Sequence, residues 1–131
     1  MRTEIGLDAL VVGGGIAGMQ SALDMADQGL KVALVEKEAS IGGKMIALSK
    51  VFPTLDCCSC ITTPKMSAVA HHPNIELFTY SEVTELQAKP DGGYRAHVVE
   101  KPRYVDTSLC TGCRKCEYAC PIELSNPFDS D

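Results

Sequence analysis

The sequence predicts an α/β fold with a Rossmann-like βαβ core, a small β extension and the start of a second, cysteine-bearing module. A glycine-rich segment joins two apolar runs within residues 8–36, which is the pattern of a βαβ unit. Four regularly spaced cysteines lie within residues 110–120. The long apolar runs end near residue 101, and we therefore place a domain boundary there.

A strand, a helix and a second strand are predicted in succession in the first segment. Residues 10–12 are a short apolar run, which is typical of a buried strand. Apolar side chains then recur near helical spacing, predicting a helix from about Gly15 to about Gly29, where glycine suits a helix end. A second apolar run, residues 31–35, predicts the next strand and ends at Glu36.

Three glycines and one glutamate indicate that this unit is an FAD/NAD(P)-binding core. Gly13 permits a tight turn, Gly15 lets a pyrophosphate approach the backbone, and Gly18 lets the helix pack close to the sheet. The helix N-terminus offers free N–H groups and partial positive charge to the pyrophosphate. Glu36 lies about 20 residues on, where a carboxylate can accept both ribose hydroxyls. The alternative is a glycine-rich turn in an ordinary βαβ unit.

The segment after the second strand adds further candidates for cofactor binding. Gly42 and Gly43 permit close backbone approach near the carboxyl edge of the sheet, which favours FAD over NAD. Lys44 is placed to reach a phosphate or a flavin. The alternatives are a plain turn and a solvated surface lysine. Lys37, Gly43 and Lys44 complete the predicted cofactor-binding set.

One helix and several strands are predicted downstream. Thr63 suits the N-cap and Pro64 the first helical position, so the helix would run from there to about residue 72. The predicted strands cover residues 75–79, 81–86 and 94–100, with a turn at residues 91–93. We assign residues 75–100 to the β extension.

Three cysteines, Cys57, Cys58 and Cys60, precede that helix. Cys57 and Cys60 form a C-x-x-C pair, and Cys58 is additional. Three interpretations stay open: a redox-active dithiol near a flavin, ligands of a cluster shared with another domain or subunit, or buried and idle thiols. Redox chemistry requires a lowered pKa, which a following helix N-terminus favours.

The late cysteines have the spacing C-x₂-C-x₂-C-x₃-C-P, which is that of bacterial ferredoxins. Zinc sites prefer paired C-x₂₋₄-C modules or histidines, which this run lacks. We therefore predict a 4Fe–4S cluster and a ferredoxin-like module. Either the last cysteine closes a single cluster, or its partner cysteines lie beyond residue 131, which we favour. The predicted metal ligands are Cys110, Cys113, Cys116 and Cys120.

Composition excludes several other classes of protein. The net charge of −5 argues against general nucleic-acid binding. No apolar stretch is long enough to span a membrane, and residues 1–8 lack the apolar core of a signal peptide. The seven cysteines fall into two clusters, which in a cytoplasmic protein indicates metal or redox chemistry rather than structural disulfides.

Nearly the whole sequence resembles the A-type subunits of heterodisulfide reductase, which are iron–sulfur flavoproteins. The matching segments are VVGGGIAGMQSALDMADQGLKVALVE, SIGGKM, VFPTLDCCSCITTPKMSAVAHHPNIELFTYSEV and KPRYVDTSLCTGCRKCEYACPIELSNPFD. The resemblance implies FAD on Gly13, Gly15, Gly18 and Glu36, and 4Fe–4S clusters on the four late cysteines. It also implies partner subunits and an electron donor protein, between which the family passes electrons, with a flavin able to split electron pairs.

The resemblance also implies that the sequence is a fragment of a longer chain. Residues 1–100 would be the first part of a split FAD-binding domain, and residues 101–131 the start of a 4Fe–4S ferredoxin-type domain. The family commonly has arginine where Lys44 stands, and Cys58 is unusual. We expect the isolated fragment to be inactive.

We accordingly expect a subunit of a flavin/iron–sulfur oxidoreductase that transfers electrons in a heterodisulfide reductase-like complex. One alternative is an NAD-linked pyridine nucleotide–disulfide oxidoreductase that uses Cys57 and Cys60 as its redox dithiol. The other is a folded chain without cofactor that acts as a docking module.

Overall fold

The computed structural model describes residues 5–90 and 92–124. The chain divides into two compact units, residues 1–101 and 102–131. The elements of the first unit are, in chain order, β1 (Ala9–Val12), α1 (Ile16–Asp27), β2 (Val32–Glu36), a 3₁₀ helix (Gly43–Ala47), β3 (Lys50–Val51), β4 (Asp56–Cys57), α2 (Cys58–His71), β5 (Ile75–Thr79), β6 (Ser81–Ala88) and β7 (Tyr94–Glu100).

A three-stranded parallel sheet forms the centre of the first unit. Its order is β1-β2-β5, with Ala9 opposite Val32 and Val35 opposite Phe78. All five residues of the central strand β2 are buried. This explains why residues 32–36 form a nearly continuous apolar run rather than an alternating pattern, since a parallel strand is covered on both faces. The predicted strand–helix–strand order is confirmed.

Helices α1 and α2 pack against each other and enclose the core against the sheet. Helix α1 begins directly after Gly15 and ends at Asp27, with Gln28 as its C-cap, close to its predicted bounds. Its spacing of apolar residues matches the helical period, so the buried side chains fall on one face. The fully or almost fully buried core consists of Met19, Ala22, Ala26, Val32, Leu34, Ile41 and Val69.

Helix α2 begins at Cys58, so the predicted start at Thr63 and Pro64 is wrong. Cys58 and Thr62 are fully buried on the inner face of the helix, and this packing favours a longer helix. Pro64 therefore lies inside α2, where it is exposed to solvent. Its ring removes one hydrogen-bond donor from the helix, and the tertiary contacts outweigh that loss.

An antiparallel hairpin forms the β extension. Strands β6 and β7 pair from Ser81 opposite Glu100 to Ala88 opposite Tyr94, with a bulge between Val83 and Glu85. The hairpin is confirmed, but its predicted start at residue 75 is wrong, because β5 pairs with β2 in the parallel sheet. In the predicted turn, Gly92 and Gly93 have φ values of +94° and +80°. Asp91 lies outside the described residues.

The second unit contains one short helix, α3 (Lys115–Ala119), within its described residues. The helix follows Arg114, whose φ is +62°, and ends at Cys120, next to Pro121. The tail at residues 125–131 lies outside the described part. Among residues 5–90 and 92–124, no helix is both long and apolar enough to cross a lipid bilayer.

Candidate functional site

The loop after β1 depends on glycine at positions with different surroundings. Gly13 has φ +103° and donates its N–H to the Val35 carbonyl at 2.8 Å. A Cβ on Gly18 would lie 1.9 Å from the Gly13 carbonyl oxygen, so the helix approaches the loop too closely for any side chain. A Cβ on Gly15, the N-cap of α1, would contact no described atom within 4 Å. The space in front of the helix N-terminus is therefore open.

The side chain of Glu36, the last residue of β2, is hydrogen-bonded to this loop. Its carboxylate is buried and accepts the N–H of Gly14 at 2.5 Å and the N–H of Glu38 at 2.9 Å. A carboxylate has about four acceptor sites, so it retains capacity for further donors such as ribose hydroxyls. Gly14 was not among the predicted site residues. A Cβ there would lie 2.7 Å from Ile41 and 3.1 Å from a carboxylate oxygen of Glu36.

The second glycine pair packs against the first loop. Gly42 donates its N–H to the Gly14 carbonyl at 2.7 Å, and a Cβ on Gly43 would lie 3.0 Å from the Gly15 Cα. Both residues have positive φ values, +114° and +57°. This pair is therefore more than a plain turn, because it supports the backbone of the glycine loop. Lys44 follows at the start of the 3₁₀ helix and is exposed.

A groove of about 310 Å³ opens at the carboxyl ends of β1 and β2, where ligands of open α/β sheets lie. It brings together the predicted Gly13, Glu36 and Lys37, whereas the other predicted glycines and Lys44 are not among its lining residues. Two further lining residues, on β6, were not predicted, since neither belongs to a motif. The lining residues are Val12, Gly13, Val35, Glu36, Lys37, Glu82 and Val83.

An ion pair between Lys101 and Glu82 lies on the β6 side of this groove. Lys101 Nζ lies 2.6 Å from the Glu82 carboxylate. The hydrogen bond from Lys101 lowers the pKa of Glu82, and the same pair raises the pKa of Lys101. Glu82 is therefore an anion in the groove that also contains the positively charged Lys37.

The Cys57 group lies at the N-terminus of α2. Cys57 is the N-cap, and its sulfur accepts the Cys60 N–H at 3.4 Å. Both thiols are exposed, whereas Cys58 is fully buried. Hydrogen bonds from the thiol and N–H of Cys60 lower the pKa of Cys57, and the same contact raises the pKa of Cys60.

The second unit carries the four late cysteines, all exposed and free of disulfides. Hydrogen bonds, first from the Lys115 N–H and then from the Thr111 side chain, lower the pKa of Cys113, favouring the thiolate that ligates metal. Gly112 turns the loop with φ +67°. In the described ranges no three His, Cys, Asp or Glu side chains are gathered as a metal-binding group. The donor set itself, four thiols at ferredoxin spacing, fits a 4Fe–4S cluster.

Two family models match the two parts of the chain. Residues 8–50 match the FAD binding domain family, and residues 103–123 match the 4Fe-4S binding domain family. The first match covers the glycine loop, Glu36 and the second glycine pair, and the second covers the four late cysteines. The predicted cofactors, FAD and a 4Fe–4S cluster, are thereby confirmed.

Solved structures share the fold of a large part of this chain. L-proline dehydrogenase from P. horikoshii superposes with a TM-score of 0.63 over 72% of this chain and 19% of its own, at 23% sequence identity. At this level of identity the likeness concerns the fold alone. It confirms the predicted Rossmann-like architecture.

Curated relatives match almost the whole chain. The iron-sulfur A subunit of CoB–CoM heterodisulfide reductase from Methanocaldococcus jannaschii is 54% identical over 126 residues, which are 96% of this chain and 19% of the relative. The A subunit of H₂:CoB-CoM heterodisulfide,ferredoxin reductase from Methanothermobacter thermautotrophicus is 54% identical over 121 residues, 92% of this chain and 18% of the relative. The chain thus spans about a fifth of the length of these relatives. It belongs to the family of heterodisulfide reductase A-type subunits.

Proposed function

We propose that this chain is the FAD- and cluster-binding part of an electron-transfer subunit in a heterodisulfide reductase-like complex. The groove beside the glycine loop, with a buried carboxylate at its edge, is the observation that carries the proposal. The similarity to heterodisulfide reductase subunits supports the same interpretation at the level of the complex.

The first unit would bind the ADP half of FAD. The open space at Gly15 admits the pyrophosphate to the N-terminus of α1, where free N–H groups and the helix dipole stabilise negative charge. Glu36 would accept the ribose hydroxyls, and Lys37 would add a positive charge in the same groove. Gly13 and Gly18 shape the turn. Gly43 packs against the backbone of Gly15, and Lys44 would bind a phosphate or the flavin.

The second unit would hold a 4Fe–4S cluster through Cys110, Cys113, Cys116 and Cys120. Thiolates are the ligating form, and all four thiols are exposed. The lowered pKa of Cys113 increases its thiolate fraction at neutral pH.

When bound, FAD supplies one- and two-electron chemistry and the cluster supplies one-electron transfer. The chain contributes binding, orientation and electrostatics. The other subunits of the complex and an electron donor protein are the proposed partners. We place the protein in the cytoplasm, since its seven free cysteines suit a reducing compartment.

The flavin site is tested by titrating anaerobically prepared protein with FAD. Glu36→Gln removes a charged acceptor, so the affinity for FAD should fall about ten- to a hundredfold, equivalent to ~1.5–3 kcal/mol. Glu38→Gln is the matched control, since only the backbone of Glu38 makes hydrogen bonds to the described residues. A folded protein that binds no flavin, or equal losses in both variants, would contradict the assignment. Titration with NAD in parallel tests the alternative cofactor.

A further inference from the structure

The two exposed cysteines at the start of α2 are arranged as a pair. Cys57 and Cys60 lie on the first turn of the helix, and the Cys60 N–H points at the Cys57 sulfur at 3.4 Å. Both sulfurs are exposed and lie one helical turn apart, which is the C-x-x-C arrangement of a dithiol that can close a disulfide.

The surroundings of the two sulfurs differ. Cys57 caps α2, so its sulfur lies at the positive end of a 14-residue helix and accepts a hydrogen bond from the Cys60 N–H. Cys60 is one turn further on, where its interaction with the Cys57 side chain and then the charge of Cys57 raise its pKa. Of the two thiols, Cys57 therefore ionises more readily.

The third cysteine of the group takes no part in this pair. Cys58 is fully buried, and its N–H bonds to the Ser49 carbonyl at 3.3 Å. The segment therefore offers two accessible sulfurs rather than three. That number suits a dithiol, whereas a 4Fe–4S cluster would need two further ligands from elsewhere.

We propose that Cys57 and Cys60 form a redox-active dithiol that reduces a disulfide, with Cys57 as the attacking sulfur and Cys60 as the resolving sulfur. This site adds a two-electron thiol step to the proposed electron-transfer function. Its chemistry can be observed in the absence of FAD and of a cluster, so the two proposals fail separately.

The reduction consists of two successive thiol–disulfide exchange reactions. The Cys57 thiolate attacks one sulfur of a disulfide R–S–S–R, which forms a Cys57–S–S–R bond and releases RS⁻. RS⁻ takes up a proton, Cys60 loses its own, and the Cys60 thiolate attacks the Cys57 sulfur and releases the second RS⁻. The protein dithiol is oxidised by two electrons, and the disulfide is reduced to one thiol, RSH, and one thiolate, RS⁻, which solvent can protonate.

The test uses glutathione disulfide as the probe under anaerobic conditions. After acid quenching and alkylation, trypsin releases residues 51–65, which contain Cys57, Cys58 and Cys60, for mass spectrometry. The unsubstituted protein should form a Cys57–Cys60 disulfide. Cys60→Ser should accumulate a glutathione adduct on Cys57, and Cys57→Ser should react at least about tenfold more slowly.

The variants are chosen so that folding is preserved. Serine at position 57 is itself a good N-cap and keeps the helix start. Ser59→Ala, an exposed substitution between the two thiols, is the matched control and should form the disulfide at the rate of the unsubstituted protein.

Besides a failure to exchange, two results would overturn the proposal. One is equal adduct formation on both cysteines. The other is iron bound in reconstituted protein that is lost in Cys57→Ser and in Cys60→Ser, which would make these residues cluster ligands. Flavin and iron contents measured on the same samples separate the outcomes: exchange without flavin binding would refute the flavin site alone, and flavin binding without exchange would refute the dithiol alone.

Discussion

Gly15 and Gly18 belong to one motif but have different tasks. Gly18 is required by the fold, because a methyl group there would overlap the Gly13 carbonyl. Gly15 has open space and an ordinary extended backbone, with φ −73° and ψ −177°, so any residue could adopt its conformation. Its identity therefore matters for a ligand rather than for folding.

Alanine substitutions separate these tasks. Gly18→Ala should lower the free energy of unfolding by at least ~1–3 kcal/mol, because the overlap is with backbone. Gly15→Ala should keep the melting temperature nearly unchanged and weaken FAD binding at least about tenfold, which is ~1.4 kcal/mol. Thermal melts and flavin titrations measure both. Gly6→Ala, where a Cβ also has open space, is the control. Equal effects of the first two variants would contradict the assignment.

The pKa shifts at the α2 start predict distinct pH profiles for two neighbouring thiols. Only the thiolate is alkylated, so a lowered pKa keeps Cys57 reactive at pH values where an ordinary thiol is protonated. The raised pKa of Cys60 delays its reaction to higher pH. Iodoacetamide labelling across pH, followed on residues 51–65, should show Cys57 reacting first. A common midpoint for both thiols would refute this, and buried Cys58 reports unfolding.

The start of helix α2 shows how tertiary packing overrides a local signal. Thr63 and Pro64 have the residue types of a helix start, and no short-range rule would place it earlier. The burial of Cys58 and Thr62 against the rest of the unit decides otherwise, and that contact is not visible in the local sequence.

Two capping substitutions distinguish these starts. Cys57→Ala should cost about 1 kcal/mol of stability, because it removes the acceptor for the Cys60 N–H. Thr63→Ala should change stability by less than about 0.5 kcal/mol, since Thr63 is an exposed interior residue of the helix. Chemical denaturation measures both. A larger cost at Thr63 than at Cys57 would restore the later helix start.

Other elements could be predicted from the sequence because the patterns that indicate them lie within short segments of the chain. The βαβ unit follows from apolar periodicity and glycine spacing, and the hairpin from its turn and its alternating strands. The assignment of β5 to the parallel sheet depends instead on pairing with β2, some 40 residues away in sequence. Glu82 and Val83 enter the groove through the same long-range placement, so no motif identified them.

At the scale of the whole molecule, the two family matches fall in different compact units. The candidate ligands for the flavin all lie before residue 101, and those for the cluster all lie after it. Each cofactor should therefore be removable by a substitution in its own unit.

Cys113→Ser tests this division. The variant should lose iron and acid-labile sulfide, because it removes one of the four candidate ligands, while FAD binding by the first unit persists. Metal analysis and flavin titration on the same preparation give both readouts. Ser108→Ala, an exposed site in the same unit, is the control and should retain iron. Full iron content in Cys113→Ser would reject Cys113 as a ligand.

The hydrogen bond from the Gly14 N–H to Glu36, 22 positions apart in sequence, means that folding itself assembles the candidate dinucleotide site. The protein should therefore lose little conformational entropy when a dinucleotide binds. Removal of the flavin should accordingly leave the amides of this loop slow to exchange with deuterated solvent, much as in the loaded protein.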